Sequence, residues 1–208
     1  MIGFIIKDLL NLKKSFQTMI FFFAVFLLFS VSMKTPTYLA SMITLMLTMT
    51  SVSSFTYDDY SKWEKFGRSL PVTKKQIVLS KYLLTLIMAL AGSIISAVYI
   101  LIWQAFNSSA SLLENISIVL VMFSVTLIFT SIAIPLIYKF GVEKYRLINL
   151  VIFGGIFLLF MFVFSVYDIS QIPESAFFAI LLCLPVPALL LTGISYTISC
   201  RIYNKKEL

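Results

Sequence analysis

The sequence predicts an all-α polytopic membrane protein with six transmembrane helices, an N-terminal amphipathic interfacial helix and a short cytoplasmic helix between spans 2 and 3. Composition is the first reason, because 60% of the residues are apolar and only 12% are charged, unlike a soluble domain. The second reason is the presence of apolar stretches long enough to cross a bilayer. A chain in lipid must satisfy its backbone hydrogen bonds internally, so these stretches are predicted to be helices.

Six apolar stretches follow one another, and residues 1–208 are predicted to form a single transmembrane domain. The stretches are 17–33, 37–55, 76–106, 116–138, 147–166 and 175–199. Gly154-Gly155 and the Pro185-x-Pro187 pair predict a kink or break in the last two, and the sequence leaves open whether either is a hinge. Gly92 and Ser96 permit close helix approach, either within the subunit or across a dimer.

Residues 1–16 have the period of an amphipathic helix rather than a continuous apolar run. The apolar positions on one face are Ile2, Ile5, Ile6, Leu9, Leu12 and Phe16. The polar positions opposite are Lys7, Asp8, Asn11, Lys14 and Ser15. This pattern predicts a helix in the headgroup layer of the membrane, the alternative being a cytosolic extension of the first span.

The distribution of basic residues predicts the orientation of the chain. Fifteen of the sixteen Lys and Arg residues lie at the two termini, after the fourth stretch, or between the second stretch and Lys81 near the beginning of the third, and Lys34 alone lies on the other side. By the positive-inside rule, both termini and both basic connections are cytoplasmic. This asymmetry accounts for the net charge of +7 without a nucleic-acid partner.

Several function classes lack the residues that they need. The chain has no histidine, and it contains neither a G-x-S-x-G elbow nor a G-x-x-x-x-G-K-S/T phosphate loop. Cys183 and Cys200 lack the paired spacing of a metal site and are interpreted as packing residues. The sequence therefore predicts no catalytic residue, no metal site and no cofactor held by this chain.

The longest polar interval, residues 57–75, is predicted to be a cytoplasmic loop that contains a short amphipathic helix over residues 58–66. Tyr60, Trp63 and Phe66 recur every third residue as an aromatic stripe, and Gly67 is expected to end the helix. Thr73 and Gln76 have the spacing of a capping box for the next helix. Such a stripe suits a protein interface and a lipid anchor equally well.

The same interval carries a family resemblance. The matching runs are F-T-Y-D-D at 55–59, K-W-E-K-F at 62–66, S-L-P-V-T-K-K at 69–75 and I-V-L-S-K-Y at 77–82, supported by residues 135–144 and 199–207. This pattern resembles type-2 ATP-binding-cassette (ABC) exporter permeases over the whole chain. Within that family it is most similar to permeases that export phenol-soluble modulins and antimicrobial peptides.

The resemblance implies a half-transporter in a bacterial cytoplasmic membrane. Two permeases, identical or homologous, would pair, and two cytoplasmic ATPase subunits would bind ATP and Mg²⁺ and drive export of an amphipathic peptide. Residues of the 57–75 loop would couple to the ATPase. They are Tyr57, Asp58, Asp59, Tyr60, Lys62, Trp63, Glu64, Phe66, Leu70 and Pro71.

One alternative stays open. A membrane protein that binds a partner without transporting anything, such as an immunity protein, has the same composition and spans. An ATPase that assembles with the chain is the discriminating observation.

Overall fold

In a computed structural model of the protein, the described residues are 2–69, 71–106, 112–166 and 181–205, and every regular element within them is a helix. The helices are α1 (Ile2–Ser32), α2 (Thr37–Tyr60), α3 (Trp63–Ser69), α4 (Lys74–Phe106), α5 (Leu112–Phe140), α6 (Val142–Val166) and α7 (Pro185–Lys205). The predicted all-α class is confirmed for these ranges.

Among the described residues, four helical segments are long and apolar enough to cross a membrane. They are Thr37–Tyr60, Lys74–Phe106, Glu114–Phe140 and Leu181–Lys205. A fifth span is present if the two parts of α1 are counted together. The count of six stays a prediction, because the stretch 147–166 lies within α6 without being among these spans and residues 175–180 lie outside the described ranges.

The first helix combines the two N-terminal segments that the sequence separates. Its parts Gly3–Lys13 and Gln17–Ser32 meet at an angle of 63°. The bend falls at the junction of the predicted interfacial segment and the predicted first span. The amphipathic part is therefore the first half of a sharply bent α1.

Helices α2 and α4 form a closely packed pair. A Cβ atom at Gly92 would lie 3.0 Å from the Cα of Thr44, so the absence of a side chain permits this approach. The hydroxyls of Thr44 and Ser96 are 2.9 Å apart, and Ser96 also donates to the carbonyl of Ala40 at 2.7 Å. The small residues of α4 thus pack within the subunit.

A second polar contact joins α4 to α7. The Tyr82 hydroxyl lies 2.6 Å from the Ser195 hydroxyl and 2.8 Å from that of Ser199, and Ser195 donates to the carbonyl of Ser131 on α5. These bonds fix the relative positions of α4, α5 and α7. Each hydroxyl finds its partner inside the protein, as a lipid environment requires.

The predicted break near Pro185 is confirmed. Leu184 forms a turn between the helical residues 181–183 and α7, which begins at Pro185 because a proline needs no backbone donor in a first helical turn. In contrast, α6 continues through Gly154 and Gly155 without interruption.

An apolar cluster of α2, α4, α5, α6 and α7 residues lies at the end of the bundle near the polar loop. Its buried members are Phe55, Val78, Ala133, Ile134, Ile137, Tyr138, Tyr145, Cys200 and Tyr203. Burial raises the pKa of Tyr145 to about 12. The cluster packs the helix ends next to the polar loop. It includes Cys200, in agreement with the packing role predicted for this residue.

Candidate functional site

The polar loop begins later in the structure than the sequence predicts. Instead of a helix over 58–66, α2 continues to Tyr60 and a new helix, α3, runs from Trp63 to Ser69 through Gly67. Ser61 and Lys62 form the turn between them, and Lys62 has a φ of 51°. The predicted helix bounds were wrong because residues 55–60 contain no helix breaker.

The start of α4 matches the predicted capping box. The Thr73 N–H donates to Oε1 of Gln76 at 3.0 Å, and the Gln76 N–H donates to the Thr73 hydroxyl at 3.3 Å. Lys74 donates to the carbonyl of Asn204 at 3.1 Å. A cation at the carboxyl end of α7 is electrostatically favourable, so this bond ties the loop to the end of the chain.

Four charged residues form an ion-pair network beneath the loop. Lys81 lies 2.9 Å from Asp8 and 2.5 Å from Asp58, while Lys7 lies 3.0 Å from Asp8 and 2.5 Å from Asp58. The two bases and two acids balance in charge. We call Lys7, Asp8, Asp58 and Lys81 the charge network. It joins the first part of α1 to the end of α2 and the beginning of α4.

Burial makes the charge network a constraint on the structure. Asp8 is 1% exposed and Lys81 is 5% exposed, and Lys81 also donates to the hydroxyl of Ser54 at 3.0 Å. Removing one partner of a buried ion pair leaves the other charge without compensation, which costs far more than the pair contributes in net terms. The three helix ends are therefore held in one arrangement.

In the first part of α1, a residue of the predicted polar face is buried and several apolar residues are exposed. A helix that packs on a soluble core shows the reverse. Asp8, on the predicted polar face, points into the protein, whereas Ile6, Leu9 and Leu10 are exposed. Leu12 nevertheless is completely buried. Exposed apolar side chains suit the headgroup boundary of a membrane, while Lys7 and Asp8 find partners inside the protein.

Trp63 is turned toward α1. Its ring makes an edge contact with Phe4 at a centroid distance of 6.3 Å, and the Lys7 ammonium lies 4.2 Å from the Trp63 ring centroid. Tyr57 likewise faces α1, with its hydroxyl 3.3 Å from that of Ser15. Trp63 therefore attaches α3 to α1, while Tyr57 and Asp58 attach the end of α2 to its neighbours.

A second group of the candidate residues is exposed. Tyr60 is 80% exposed and Phe66 is 56% exposed, and they flank the turn and the first residues of α3. Asp59, Lys62 and Pro71 are also exposed. We call these five residues the exposed face. Of the remaining candidates, Leu70 and the side chain of Glu64 lie outside the described residues.

Sequence reasoning missed the inward-facing side of this site, namely Phe4, Lys7, Asp8 and Lys81. One signal was available, because Lys81 falls inside the third apolar stretch, where an ionisable residue calls for a partner. Within the described ranges, no group of three or more His, Cys, Asp and Glu side chains is placed to hold a metal ion.

The fold and site define a multi-pass helical membrane protein with a compact polar loop braced against its first helix. The chain matches the family model described as ABC-2 family transporter protein over residues 3–204. It belongs to that family and is the transmembrane permease type of ABC transporter subunit. No curated protein and no solved structure matches it significantly.

Proposed function

We propose that this permease is half of an ABC exporter and that the exposed face docks onto a separate cytoplasmic ATPase subunit. The observation that carries the proposal is the division of the polar loop into two sides. Tyr57 and Asp58 hold the end of α2 to α1 and α4, and Trp63 holds α3 to α1, while Tyr60 and Phe66 are exposed, with Phe66 resting on the Trp63 ring at 5.1 Å.

The composition of the exposed face supports a protein partner. A few aromatic side chains dominate the binding energy of most protein interfaces, and flanking charges guide orientation. Tyr60 and Phe66 are the aromatic residues here, and Asp59 and Lys62 supply charges of both signs. Because the loop is already attached through its inner side, these aromatics are not needed as its anchor to the bilayer.

The charge network supplies a physical connection between docking and the spans. Asp58 lies two residues before Tyr60 and contacts both Lys7 on α1 and Lys81 on α4. A displacement of the exposed face therefore changes the positions of charges on three helices. This is a route by which ATP hydrolysis in the partner moves the membrane helices.

The proposed cargo is an amphipathic peptide, and the proposed setting is a bacterial cytoplasmic membrane with both termini inside. The support is the resemblance to peptide-exporting permeases and the basic residues of the polar loop. A second permease, identical or homologous, completes the transporter. ATP and Mg²⁺ bind to the ATPase subunits.

Transport into inside-out proteoliposomes tests the cargo. We expect ATP-dependent uptake of a helical amphipathic peptide when the permease is reconstituted with its ATPase. The matched control is a peptide of identical composition whose apolar residues are not collected on one helical face. Equal uptake of both peptides, or no uptake of either, would contradict the proposed cargo.

A further inference from the structure

A groove with a volume of about 230 Å³ opens between α4, α5 and α7, outside the polar loop. Leu79, Leu83 and Leu86 of α4 form one wall, and Leu189 and Gly193 of α7 form the other. The volume is smaller than the roughly 300–1,000 Å³ of pockets for drug-sized ligands. The groove therefore suits a narrow apolar group.

The polar atoms along the groove already have partners. Four hydroxyls donate to carbonyls of their own helices at 2.7–2.9 Å, namely those of Thr85, Thr130, Ser131 and Thr192. The Tyr82 hydroxyl is bonded to the serines of α7. These five hydroxyls have no proton left to donate to a ligand, and a hydrocarbon chain breaks none of their bonds by lying beside them.

The position of the groove matches the inner leaflet. Lys75, at the start of α4, is exposed and lies on the same helical face as Leu79 and Leu86. At 1.5 Å per residue, the groove extends from about 6 to about 16 Å beyond Lys75 along α4. Half of the hydrocarbon core of a bilayer measures about 15 Å, so one acyl chain has the required length.

We propose that this groove binds one acyl chain of an anionic phospholipid, with the headgroup phosphate at Lys75. A cation at the level of the headgroups complements the negative phosphate, and the leucine walls complement the chain. A helical peptide is about 10 Å across and does not enter a groove of this size. The bound lipid fills the space that separates α4 from α7 beside Tyr82.

The test measures the phospholipid that stays with the purified permease. The protein is reconstituted with equal amounts of phosphatidylglycerol and phosphatidylcholine, washed in detergent and analysed by mass spectrometry. We expect the wild type to retain phosphatidylglycerol in preference to phosphatidylcholine. Gly193→Leu fills the groove, and a Cβ at this glycine meets no atom within 4 Å. This variant is expected to lower retention by about tenfold.

Matched variants separate the groove from general effects. Gly154→Leu adds the same side chain on α6, where a Cβ also meets nothing within 4 Å, and is expected to retain the lipid as the wild type does. Lys75→Gln is expected to remove the preference for phosphatidylglycerol, while Lys139→Gln, at the exposed end of α5, preserves it. Leu83→Phe narrows the groove from its α4 wall. This variant replaces Gly193→Leu in the test if Gly193→Leu does not fold.

Three results would overturn the proposal. Equal lipid retention in wild type and both groove variants excludes the groove as the site. Displacement of the lipid by an amphipathic peptide would show that the groove binds cargo. A Gly193→Leu variant that no longer dimerises but still retains the lipid would show that the groove binds a second copy of the permease. Because the assay contains no ATPase and does not depend on orientation, its failure is distinct from failure of the proposed function.

Discussion

At the scale of single residues, the same aromatic stripe contains two different roles. Tyr60, Trp63 and Phe66 recur every third residue, and the sequence predicts that they share a face. The turn at Ser61 and Lys62 separates Tyr60 from the other two, whereas Trp63 and Phe66 stay in ring contact on α3 at a centroid distance of 5.1 Å, with Trp63 also packed on Phe4 and Phe66 exposed. Lys62 has a positive φ, which is more usual at glycine or asparagine, so the residue type did not indicate a turn. The point at which the aromatic stripe is interrupted was therefore not predictable from periodicity.

The sequence indicates that Lys81, inside the third apolar stretch, needs a partner, but it does not identify that partner. Asp8 and Lys81 are separated by 73 positions, so no local pattern joins them. The polar face of residues 1–16 is expected to face the headgroup layer, yet Asp8 of that face is buried in the protein. The bend of α1 brings Asp8 beneath the polar loop, and only tertiary structure reveals that contact.

Removal of the buried lysine tests the charge network. Lys81→Met leaves Asp8 and Asp58 with one base between them, and we expect the free energy of unfolding to fall by about 3 kcal/mol. Thermal unfolding of the detergent-solubilised permease measures the change. Lys144→Met removes an exposed lysine from α6 and is expected to change stability by less than about 0.5 kcal/mol. Equal effects of the two substitutions would show that the network does not hold the helices.

At the scale of elements, local sequence signals predict helix starts better than helix ends. The capping box at Thr73 and the proline at 185 each place a helix start, because each acts on its own backbone. The ends of α2 and α3 follow no such signal. Gly67 lies inside α3 although a glycine there was expected to end the helix.

The close pair α2 and α4 depends on a missing side chain. Gly92→Ala places a Cβ 3.0 Å from the Thr44 backbone, which cannot move aside as a flexible side chain does. We expect it to lengthen the bond between Thr44 and Ser96 and to destabilise the permease by about 1–3 kcal/mol, measured by thermal unfolding. Gly154→Ala, with open space around it, is the control. A Gly92→Ala variant as stable as the control would refute this account of the contact.

At the scale of the whole molecule, composition predicts the fold class and charge asymmetry predicts the orientation. Composition predicts an all-α membrane protein, which the helices and family membership bear out, while the orientation predicted from the charge asymmetry stays a prediction. Composition does not establish the number of spans. The bent α1 counts either as one span or as two shorter helices. Apolar length alone does not distinguish those cases.

The orientation has a direct test. In a background with Cys183 and Cys200 replaced by serine, Lys34→Cys should react with an impermeant maleimide added outside intact cells. Lys139→Cys should react only after the membrane is opened, since the positive-inside rule places it in the cytoplasm. Labelling of Lys139→Cys in intact cells would contradict the predicted topology.

The central claim is that Tyr60 and Phe66 form the docking surface for an ATPase, and the most direct measurement is the affinity of the purified permease for that subunit. We predict that Tyr60→Ala and Phe66→Ala each weaken binding by about tenfold or more without changing the thermal stability of the permease. Phe106→Ala removes an equally exposed aromatic at the opposite end of α4 and should bind as the wild type does. Unchanged affinity in both variants, or a permease that binds no ATPase, would contradict the account and favour a membrane protein that does not transport.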